Sequence, residues 1–276
     1  MSELIIRSAR LSDMNDIAAI SRTTWEGDDY LEILAPSWIE DGGFYIGLLD
    51  NRGIGTFRIT MMPDRVLWLE GLRVHIDFRG KGYGRLLADA ALEIAKGKIK
   101  SGEAECVEFS TYFLNSESII ISESQGFSRV NGFMFMTKEN PEHNAFVKKI
   151  DASWKDFAIC PGHIPCGWKY PRTCSEGMEW AKTRAEIYTN GDASFMMMTS
   201  SGEFTPLGGS SDNPGCFLEG AETVACMHGE SSLQIVVHET FDSIIEEAYN
   251  RNYTTWDPVD GPNILVFRYE KSETPS

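Results

Sequence analysis

The first half of the chain alternates between short apolar runs and segments in which apolar residues recur every three or four positions. The runs predict strands, and the periodic segments predict helices. The predicted strands are residues 4–7, 43–49, 54–59, 66–74 and 106–111, followed by a hairpin within 127–138 that turns at Asn131-Gly132. The predicted helices begin at Ser12 or Asp13, behind the glycine-rich segment 79–84, and at Asn115. This order predicts a mixed α/β sheet.

The second half of the chain has a weaker pattern. Helical spacing occurs from Met178 to Ala185 and again behind Thr240, and strands are predicted at 194–199, 233–239 and 264–269. Its last elements are therefore strand, helix and strand, as in the first half. A degenerate second copy of the first unit is one interpretation of this order, although no residue-level repeat is visible. The other is a smaller α/β domain of unknown role.

Breaks in the pattern indicate the domain organisation. Residues 140–144, Asn-Pro-Glu-His-Asn, interrupt both periodicities. We therefore predict a first domain at 1–140, a linker at 141–152 and a second domain at 153–276. The segment 208–215 is rich in glycine and serine with no helical pattern behind it, so it is predicted to be a mobile loop.

The segment 79–84, Arg-Gly-Lys-Gly-Tyr-Gly, stands between an apolar strand and an amphipathic helix. A helix leaves its first backbone amides without intrahelical partners and carries a partial positive charge at that end. Glycines let a phosphate approach these amides, and Arg79, Lys81 and Arg85 add positive side chains. The pattern fits a pyrophosphate site, and it fits a tight strand-to-helix turn with solvated charges about equally well.

Two common phosphate motifs do not fit this segment. A Walker loop has Lys followed by Ser or Thr after its second glycine, but Gly84 is followed by Arg85-Leu86. A dinucleotide-binding motif follows the first strand of a repeating βαβ unit. Here the glycines follow the last of several antiparallel strands, so neither motif explains them.

The form Arg-x-x-Gly-x-Gly at 79–84, after the strand Leu72-Arg73-Val74, resembles the acetyl-coenzyme A motif of the GNAT superfamily of N-acetyltransferases. Asn115, eleven residues before Gly126, is similar to the family's second landmark, and the order of elements from 5 to 138 is similar to its fold. The resemblance implies a GNAT-like N-terminal domain that uses acetyl-CoA as co-substrate and no metal. It assigns coenzyme binding to Leu72, Arg73, Val74, Arg79, Gly80, Lys81, Gly82, Tyr83, Gly84, Arg85 and Asn115.

The resemblance also implies that the strand before the glycines splays from its neighbour. Backbone amides near Leu72 to Val74 would then polarise the thioester carbonyl. On an extended strand Glu70 shares a face with Leu72, where a carboxylate could take the proton of the attacking amine. The alternative for Glu70 is a charge at a strand edge paired with an arginine.

One position departs from the family. GNAT enzymes often carry a tyrosine four residues before the Gly-Phe pair, which protonates the departing thiolate, but this chain has Ser122 there. Tyr112 or water could replace it, and a thiolate with a free-thiol pKa near ~8.5 can also leave unassisted. The candidate catalytic positions are therefore Glu70, Leu72, Ser122 and Tyr112. A non-catalytic acyl-CoA-binding module is an alternative.

The acceptor side is predicted from the segment after the first helix. Glu26, Asp28, Asp29 and Tyr30 lie in the region where this fold usually receives its acceptor, so they are candidates to bind a cationic substrate. The alternative is that the acidic residues cap helices.

A narrower similarity concerns Asp29-Tyr30-Leu31, Trp38 and residues 69–74, which are similar to the branch that contains vertebrate histidine N-acetyltransferase. It implies a small amine, such as a free amino acid, as acceptor. The predicted function is transfer of an acetyl group from acetyl-CoA to a primary amine, directly within a ternary complex. A protein-directed N-acetyltransferase is a further alternative.

Charge and cysteine spacing narrow the partners. The 41 acidic and 25 basic residues give a net charge of −16, which disfavours nucleic acid and anionic membrane surfaces. With no targeting segment or long apolar run visible, the sequence predicts a cytoplasmic protein with reduced cysteines.

The cluster Cys160, His163, Cys166 and Cys174 lacks paired Cys-x-x-Cys knuckles, so no metal is predicted. The sequence does not specify an oligomeric state.

Overall fold

The computed structural model of the 276-residue chain describes residues 3–270, apart from the side chain of Glu26. Within this range the chain forms two compact units. Unit 1 comprises residues 3–109, 117–128 and 268–270, and unit 2 comprises 110–116 and 129–267. Neither unit is one continuous segment. The domain boundaries at 140 and 153 stay a prediction, because compact units need not fold independently.

Unit 1 contains the elements predicted for the first half except the hairpin at 127–138, and one helix that was not predicted, α2. Its strands are β1 (Ile5–Ser8), β2 (Phe44–Leu49), β3 (Arg52–Met61), β4 (Val66–Val74) and the first part of β5 (Cys106–Tyr112). Its helices are α1 (Met14–Arg22), α2 (Leu31–Asp41), α3 (Tyr83–Lys100) and most of α4 (Ser116–Ser124). The strands pair in the order β1-β2-β3-β4-β5. All pairs are antiparallel except β4 with β5, which is parallel.

The first two helices of unit 1 are fixed by a shared core. Ile17 and Ile20 on α1 and Trp38 on α2 pack with Phe44 and Ile46 on β2, and all five are buried. Burying a side chain of this size stabilises a fold by about 1.5–3 kcal/mol. Since α1 and α2 are both anchored, the segment 23–30 that joins them starts and ends at fixed points.

Unit 2 repeats the order of elements of unit 1. Its strands are β6 (Ser128–Glu139), which it contains from residue 129, β7 (Lys148–Lys149), β8 (Ala185–Asn190), β9 (Ala193–Met198), β10 (Glu203–Pro206), β11 (Ser232–His238) and the first part of β12 (Ile264–Glu270). Its helices are α5 (Trp154–Phe157), α6 (Ser175–Lys182), α7 (Pro214–Met227) and α8 (Asp242–Asn250). The strands lie in the order β12-β6-β11-β10-β9-β8-β7.

The repeated part is three antiparallel strands, a helix, a parallel strand and a second helix. In unit 2 these are β8, β9, β10, α7, β11 and α8, with β10 and β11 parallel. In unit 1 they are β2, β3, β4, α3, β5 and α4. The repeated topology supports the interpretation of the second half as a degenerate copy of the first.

Two predictions were wrong, one in each half of the chain. Asn131-Gly132 does not form a turn, because β6 continues through it. The side chain of Asn131 instead lies 2.7 Å from Nδ1 of His163 and 2.6 Å from Nε2 of His238. The segment 208–215 is followed by a helix, because α7 begins at Pro214.

Candidate active site

The end of β4 carries an extra residue. Where β4 pairs with β3, Thr56 lies opposite Arg73. Two residues further along β3, Arg58 lies opposite Glu70. Two steps along β3 thus correspond to three steps along β4, from Arg73 to Glu70. Gly71 and Leu72 together therefore face one residue of β3, which defines a β-bulge. A bulge redirects the backbone groups of the strand that follows it.

Gly71 is required by the shape of this bulge. Its φ is +66°, in the left-handed region that favours glycine. A Cβ at this position would lie 2.7 Å from the ring of Trp38. The carbonyl of Gly71 accepts a hydrogen bond from the hydroxyl of Thr56 at 3.0 Å, which fixes the bulge from the β3 side.

Beside the bulge, β4 separates from its other neighbour. The parallel pairing of β4 with β5 extends from Val66 opposite Cys106 to Trp68 opposite Glu108, and the described residues form no further pair beyond it. Residues 69–74 of β4 therefore present an edge that is not covered by β5. Backbone amides on such an edge can bind a ligand, and this is the splayed strand that the sequence analysis anticipated.

The glycine-rich segment places an open helix N-terminus after this strand. Gly82 precedes α3 with φ of +85°, and Gly80 has φ of +70°. A Cβ at either glycine would meet nothing within 4 Å. Among the described residues no side chain caps α3, and the amide of Leu86 is the first to bond back, to the carbonyl of Gly82. The amides of the first turn therefore have no intrahelical acceptors, and the helix dipole adds positive potential.

Arg79, a predicted pyrophosphate ligand, uses its side chain on protein groups. Its Nε donates to the carbonyl of Val74 at 2.9 Å. Its Nη2 donates to the carbonyl of Thr23 at 2.9 Å and lies 3.3 Å from the hydroxyl of Thr24. The guanidinium thus connects the end of β4 to the segment after α1.

The other two cationic side chains are also engaged. Lys81 donates to the carbonyl of Asp77 at 2.7 Å. Arg85 lies 3.2 Å from Asp89 and donates to the hydroxyl of Ser124 at 2.7 Å. Backbone amides, more than these side chains, are therefore the groups that this segment offers to a phosphate.

Glu70 lies immediately before the bulge and is largely buried, with 13% of its side chain exposed. Its Oε1 accepts a hydrogen bond from the hydroxyl of Thr60 at 2.5 Å and lies 3.9 Å from Nε of Arg58. Arg58 in turn bonds Asp41 at 3.1 Å. The arginine contact expected for a structural carboxylate is thus present, but it is longer than a hydrogen bond.

The acceptor residues predicted between α1 and α2 have different environments. The carboxylate of Asp29 is fully buried and paired with Arg73, with both oxygens 3.2 Å from guanidinium nitrogens. Tyr30 is partly exposed, and burial of its phenol raises the pKa. Asp28 is exposed, whereas the side chain of Glu26 lies outside the described residues. Asp29 is therefore a structural anion rather than an exposed one.

Sequence reasoning missed the partners of Arg73 and Arg79. Arg73 contacts Asp29, 44 residues earlier, and its Cζ lies 4.1 Å from the centre of the Trp25 ring. Arg79 contacts Thr23, 56 residues earlier. No local pattern marks contacts over such separations. The only signal was that basic residues of the strand end and acidic residues of the acceptor segment had both been singled out.

The position of the expected proton donor is a serine committed to its own helix. Ser122 is buried, and its hydroxyl donates to the carbonyl of Ser118 at 2.5 Å. Such back-bonding within a helix is common for serine and uses its single proton. Ser122 in this conformation does not present a proton to a ligand.

Tyr112 and Asn115 belong to unit 2. The hydroxyl of Tyr112 lies 3.0 Å from Asp257, and burial together with this carboxylate raises the pKa of the phenol to about 12. The amide of Asn115 donates to the carbonyl of Tyr112 at 2.9 Å. A phenol whose proton is held by a carboxylate is a weaker donor than a free one.

Two of the three cysteines of the unit 2 cluster, Cys160 and Cys166, are buried, and Cys174 is partly buried. Burial raises the pKa of Cys160 to about 12 and also raises that of Cys166, so neither thiol ionises near neutral pH.

Within residues 3–270 no group of three or more His, Cys, Asp and Glu side chains is arranged to hold a metal ion. In the same range no helix is both long and apolar enough to cross a membrane.

Comparisons with known proteins agree with this geometry. Residues 11–127 match the sequence model of the acetyltransferase (GNAT) family. No curated protein matches the chain. Among solved structures, a candidate acetyltransferase from Thermoplasma acidophilum has a TM-score of 0.65 at 16% identity, with 97% of this chain and 100% of that chain covered. A GCN5-related N-acetyltransferase from Sphaerobacter thermophilus has a TM-score of 0.65 at 13% identity, with 97% and 95% covered.

A third structure, a candidate acetyltransferase from Pyrococcus horikoshii, has a TM-score of 0.63 at 15% identity, covering 97% of this chain and 89% of that one. At these identities the likeness establishes the fold alone. It extends over nearly the whole chain, so the mixed α/β architecture of both halves occurs in these proteins as well.

Proposed function

Residues 11–127 form a domain of the acetyltransferase (GNAT) family, and on this basis we propose that the protein transfers an acetyl group from acetyl-CoA to the primary amine of a small molecule such as an amino acid. The transfer would be direct, within a ternary complex. The observation that carries this proposal is the bulged, splayed end of β4 directly followed by the uncapped N-terminus of α3. Donors for a thioester carbonyl and for a pyrophosphate are thus supplied by one short stretch of chain.

The binding of acetyl-CoA is assigned to backbone groups. The co-substrate supplies an acetyl group activated as a thioester. Amides of residues 80–85 would hold its pyrophosphate, since the space in front of Gly80 and Gly82 is open. Amides of Leu72 to Val74, on the edge of β4 not covered by β5, would stabilise negative charge on the carbonyl oxygen. Loss of one such donor typically lowers the rate by ~10²-fold or more.

Proton transfer from the amine is assigned to Glu70. An attacking amine must be neutral, so a base near the bulge has to accept its proton directly or through water. Glu70 is held there by Thr60, next to the residues that would polarise the thioester. On the leaving side, the proton of Ser122 is bonded to Ser118. The thiolate would therefore depart unassisted or take its proton from water, which its pKa near ~8.5 permits.

The engaged Ser122 also favours a second candidate function. A module that binds acyl-CoA without turning it over needs the cradle before α3 but no proton donor on α4. It would retain every backbone donor described above. This alternative and the enzyme differ only in whether coenzyme A is released.

A thiol-release assay with acetyl-CoA separates the candidates. The acceptors are free amino acids, polyamines and short peptides, and calorimetry measures binding of acetyl-CoA and coenzyme A in parallel. Release with free amino acids or polyamines supports the proposal, and release with peptides alone indicates a protein-directed enzyme. Binding of acetyl-CoA without release of coenzyme A, whichever acceptor is present, indicates the non-catalytic module. Absence of binding to both forms of the coenzyme would contradict all three.

A further inference from the structure

Two arginines tie the segment 23–30, here called the acceptor segment, to the end of β4. The segment lies between α1 and α2, whereas Arg73 lies within β4 and Arg79 follows it. Each guanidinium contacts both the acceptor segment and a carbonyl of β4, at Leu72 for Arg73 and at Val74 for Arg79. The two carbonyls flank the amides proposed to polarise the thioester.

The contact of Arg73 with Asp29 is buried, and the guanidinium makes several hydrogen bonds at once. Only 12% of the Arg73 side chain is exposed, and the carboxylate of Asp29 is not exposed at all. Arg73 makes two contacts of 3.2 Å with Asp29 and one of 3.0 Å with the carbonyl of Leu72. Its guanidinium also lies 4.1 Å from the ring centre of Trp25 and 5.4 Å from that of Tyr30. Only arginine combines a two-pronged carboxylate bond with stacking on aromatic rings.

The Arg79 contact holds the other end of the acceptor segment. Arg79 donates to the carbonyl of Thr23 and approaches the hydroxyl of Thr24 while it donates to Val74. The hydroxyl of Thr23 also accepts from the amide of Ile76 at 3.4 Å. This end is therefore connected to the chain that leads from β4 to the glycine-rich segment.

The backbone of the acceptor segment shows why it needs such restraints. Trp25 has φ of +47°, which is an uncommon and strained conformation for a bulky residue. The residue nevertheless remains 57% exposed, so its burial alone does not explain the strain. Strain of this kind persists only where surrounding contacts fix it. On the α1 side, the hydroxyl of Thr24 donates to the carbonyl of Ile20 and the hydroxyl of Ser21 donates to the carbonyl of Asp29. On the β4 side, the contacts are those of Arg73 and Arg79.

We propose that Arg73 and Arg79 are positioning residues that hold the acceptor segment against the reactive end of β4. Arg79 thereby acts through Thr23 and Thr24, and its side chain is not a main ligand of the pyrophosphate. Because Arg79 is the first residue of the glycine-rich segment, occupation of that segment by coenzyme would stabilise the acceptor segment. This last step rests on the proposed acetyl transfer.

Hydrogen exchange of the free protein tests the positioning role without any ligand. Arg79→Gln removes the contacts to Thr23 and Thr24, and we expect exchange within 23–30 to become about threefold faster, since these bonds are partly exposed. Arg65→Gln is the matched control, because Arg65 donates to the carbonyl of Gly102 and does not contact the segment. Unchanged exchange in the Arg79 variant would overturn the proposal.

The role of Arg73 is tested with a variant that does not leave Asp29 as an isolated buried charge. Arg73→Gln alone would leave the carboxylate of Asp29 buried without compensation and could unfold unit 1. The double variant Asp29→Asn/Arg73→Gln removes both charges together. We expect it to fold and to accelerate exchange within 23–30 about tenfold. A folded double variant with exchange as slow as in the unmodified protein would contradict the role of Arg73.

Coenzyme A is the probe for the coupling. In calorimetry we expect Arg79→Gln to keep the Kd for coenzyme A within about threefold, because its donors are already used on the protein. Coenzyme A should slow exchange within 23–30 in the unmodified protein and much less in this variant. A large loss of coenzyme affinity with unchanged exchange would identify Arg79 as a phosphate ligand instead. If the unmodified protein binds no coenzyme A, the proposed function fails, but the exchange of the free protein still decides the positioning role.

Discussion

The loops that precede α3 in unit 1 and α7 in unit 2 occupy the same place in the order of elements but differ in what surrounds them. In unit 1, a Cβ added at Gly80 or Gly82 would meet no atom within 4 Å. In unit 2, a Cβ at Gly209 would lie 1.8 Å from the carbonyl oxygen of Asp192. One loop opens to solvent and the other is packed against its own unit.

Hydrogen bonds show the same contrast. In the loop before α7, the backbone amide of Gly208 donates to the carbonyl of Asp156, and that of Asn213 donates to the carbonyl of Gly209. The hydroxyl of Ser210 donates to the carbonyl of Ser194 at 2.6 Å. The helix itself starts with Pro214, which has no amide proton. These three donors of unit 2 are therefore used within the unit, and the first residue of its helix supplies none.

The strands before the two loops differ as well. The pairing of β10 with β9 is regular, with Phe204 opposite Met197 and Pro206 opposite Phe195, so the described residues show no bulge there. Pro206 lacks an amide proton, and the amide of Leu207 donates to Ser194. The topology is thus kept in both units, whereas the bulge and the open glycine-rich loop described above belong to unit 1.

The largest expected effect comes from filling the open loop. Gly82→Trp places an indole where the pyrophosphate is proposed to lie, and we expect the affinity for coenzyme A to fall by more than about 100-fold in calorimetry. Gly102→Trp is the matched control, because Gly102 also has a positive φ of +78° and open space around its Cβ. Both variants carry the same backbone strain, so only the first should lose binding. Equal affinity in the two variants would remove the glycine-rich segment from the site.

The next effect concerns the glutamate on β4. Glu70→Gln keeps the shape of the side chain and its bond to Thr60 but removes the proposed base, so we expect the rate of transfer to fall by about 10²-fold or more with coenzyme affinity retained. Glu93→Gln is the control, because Glu93 is an exposed partner of Lys96 on α3. A rate within about twofold of the unmodified enzyme would leave Glu70 as the structural partner of Arg58.

The sequence was informative where structure depends on neighbouring residues. The strands and most helices of unit 1 were predictable, because each buries one face and therefore alternates or repeats along the chain. Helix α7 was missed, because buried positions run almost continuously from Phe217 to Ala225 and leave no amphipathic period. The turn expected at Asn131-Gly132 is absent because β6 continues through it and pairs with β11, about 100 residues later. The side-chain amide of Asn131 contacts His163 and His238, which are also distant in sequence.

The candidate site divides in the same way. The glycine-rich turn and the helix behind it depend on neighbouring residues, so the sequence predicted both, whereas phosphate binding at this turn stays a prediction. The bonds of Arg73 to Asp29 and of Arg79 to Thr23 depend on which strands meet, so they required the structure. Charged residues in a motif are consequently ambiguous from sequence, since the same arginine can serve a ligand or a distant segment.

A substitution in the packed loop tests the opposite side of the comparison. Gly209→Ala combines a positive φ of +77° with the contact to Asp192, and we expect it to lower the free energy of unfolding by about 2–4 kcal/mol. Gly191→Ala shares the positive φ, at +62°, but meets no atom within 4 Å, so it should cost only about 1–2 kcal/mol. Denaturant unfolding at neutral pH measures both. Equal losses would show that the loop before α7 is not tightly packed.

The last prediction concerns the stability effect of Glu203 on β10, which is compared with Glu70 on β4. Glu203 on β10 is buried, and among the described residues its Oε2 has no hydrogen-bond partner. Burial raises the pKa of Glu203 to about 7, although Ser201 and the amide of Gly167 partly oppose this. Because the folded state binds this proton more tightly than the unfolded state, the protein loses stability as the pH rises from about 4.5 through 7. Glu203→Gln should therefore stabilise the protein by less than about 1 kcal/mol at pH 5 and by up to about 3 kcal/mol at pH 8.

Denaturant midpoints of the Glu203 variant and the unmodified protein across this pH range measure the difference. Glu222→Gln is the matched control, because Glu222 is equally buried but is paired with Lys138 at 2.7 Å. That change leaves a lysine uncompensated and should destabilise the protein. If Glu203→Gln instead gave no gain at pH 8, the carboxylate would have a partner that offsets its burial. The strand glutamate of unit 2 would then resemble Glu70, whose Oε1 is held by Thr60, and the contrast between the two strands would rest on the bulge alone.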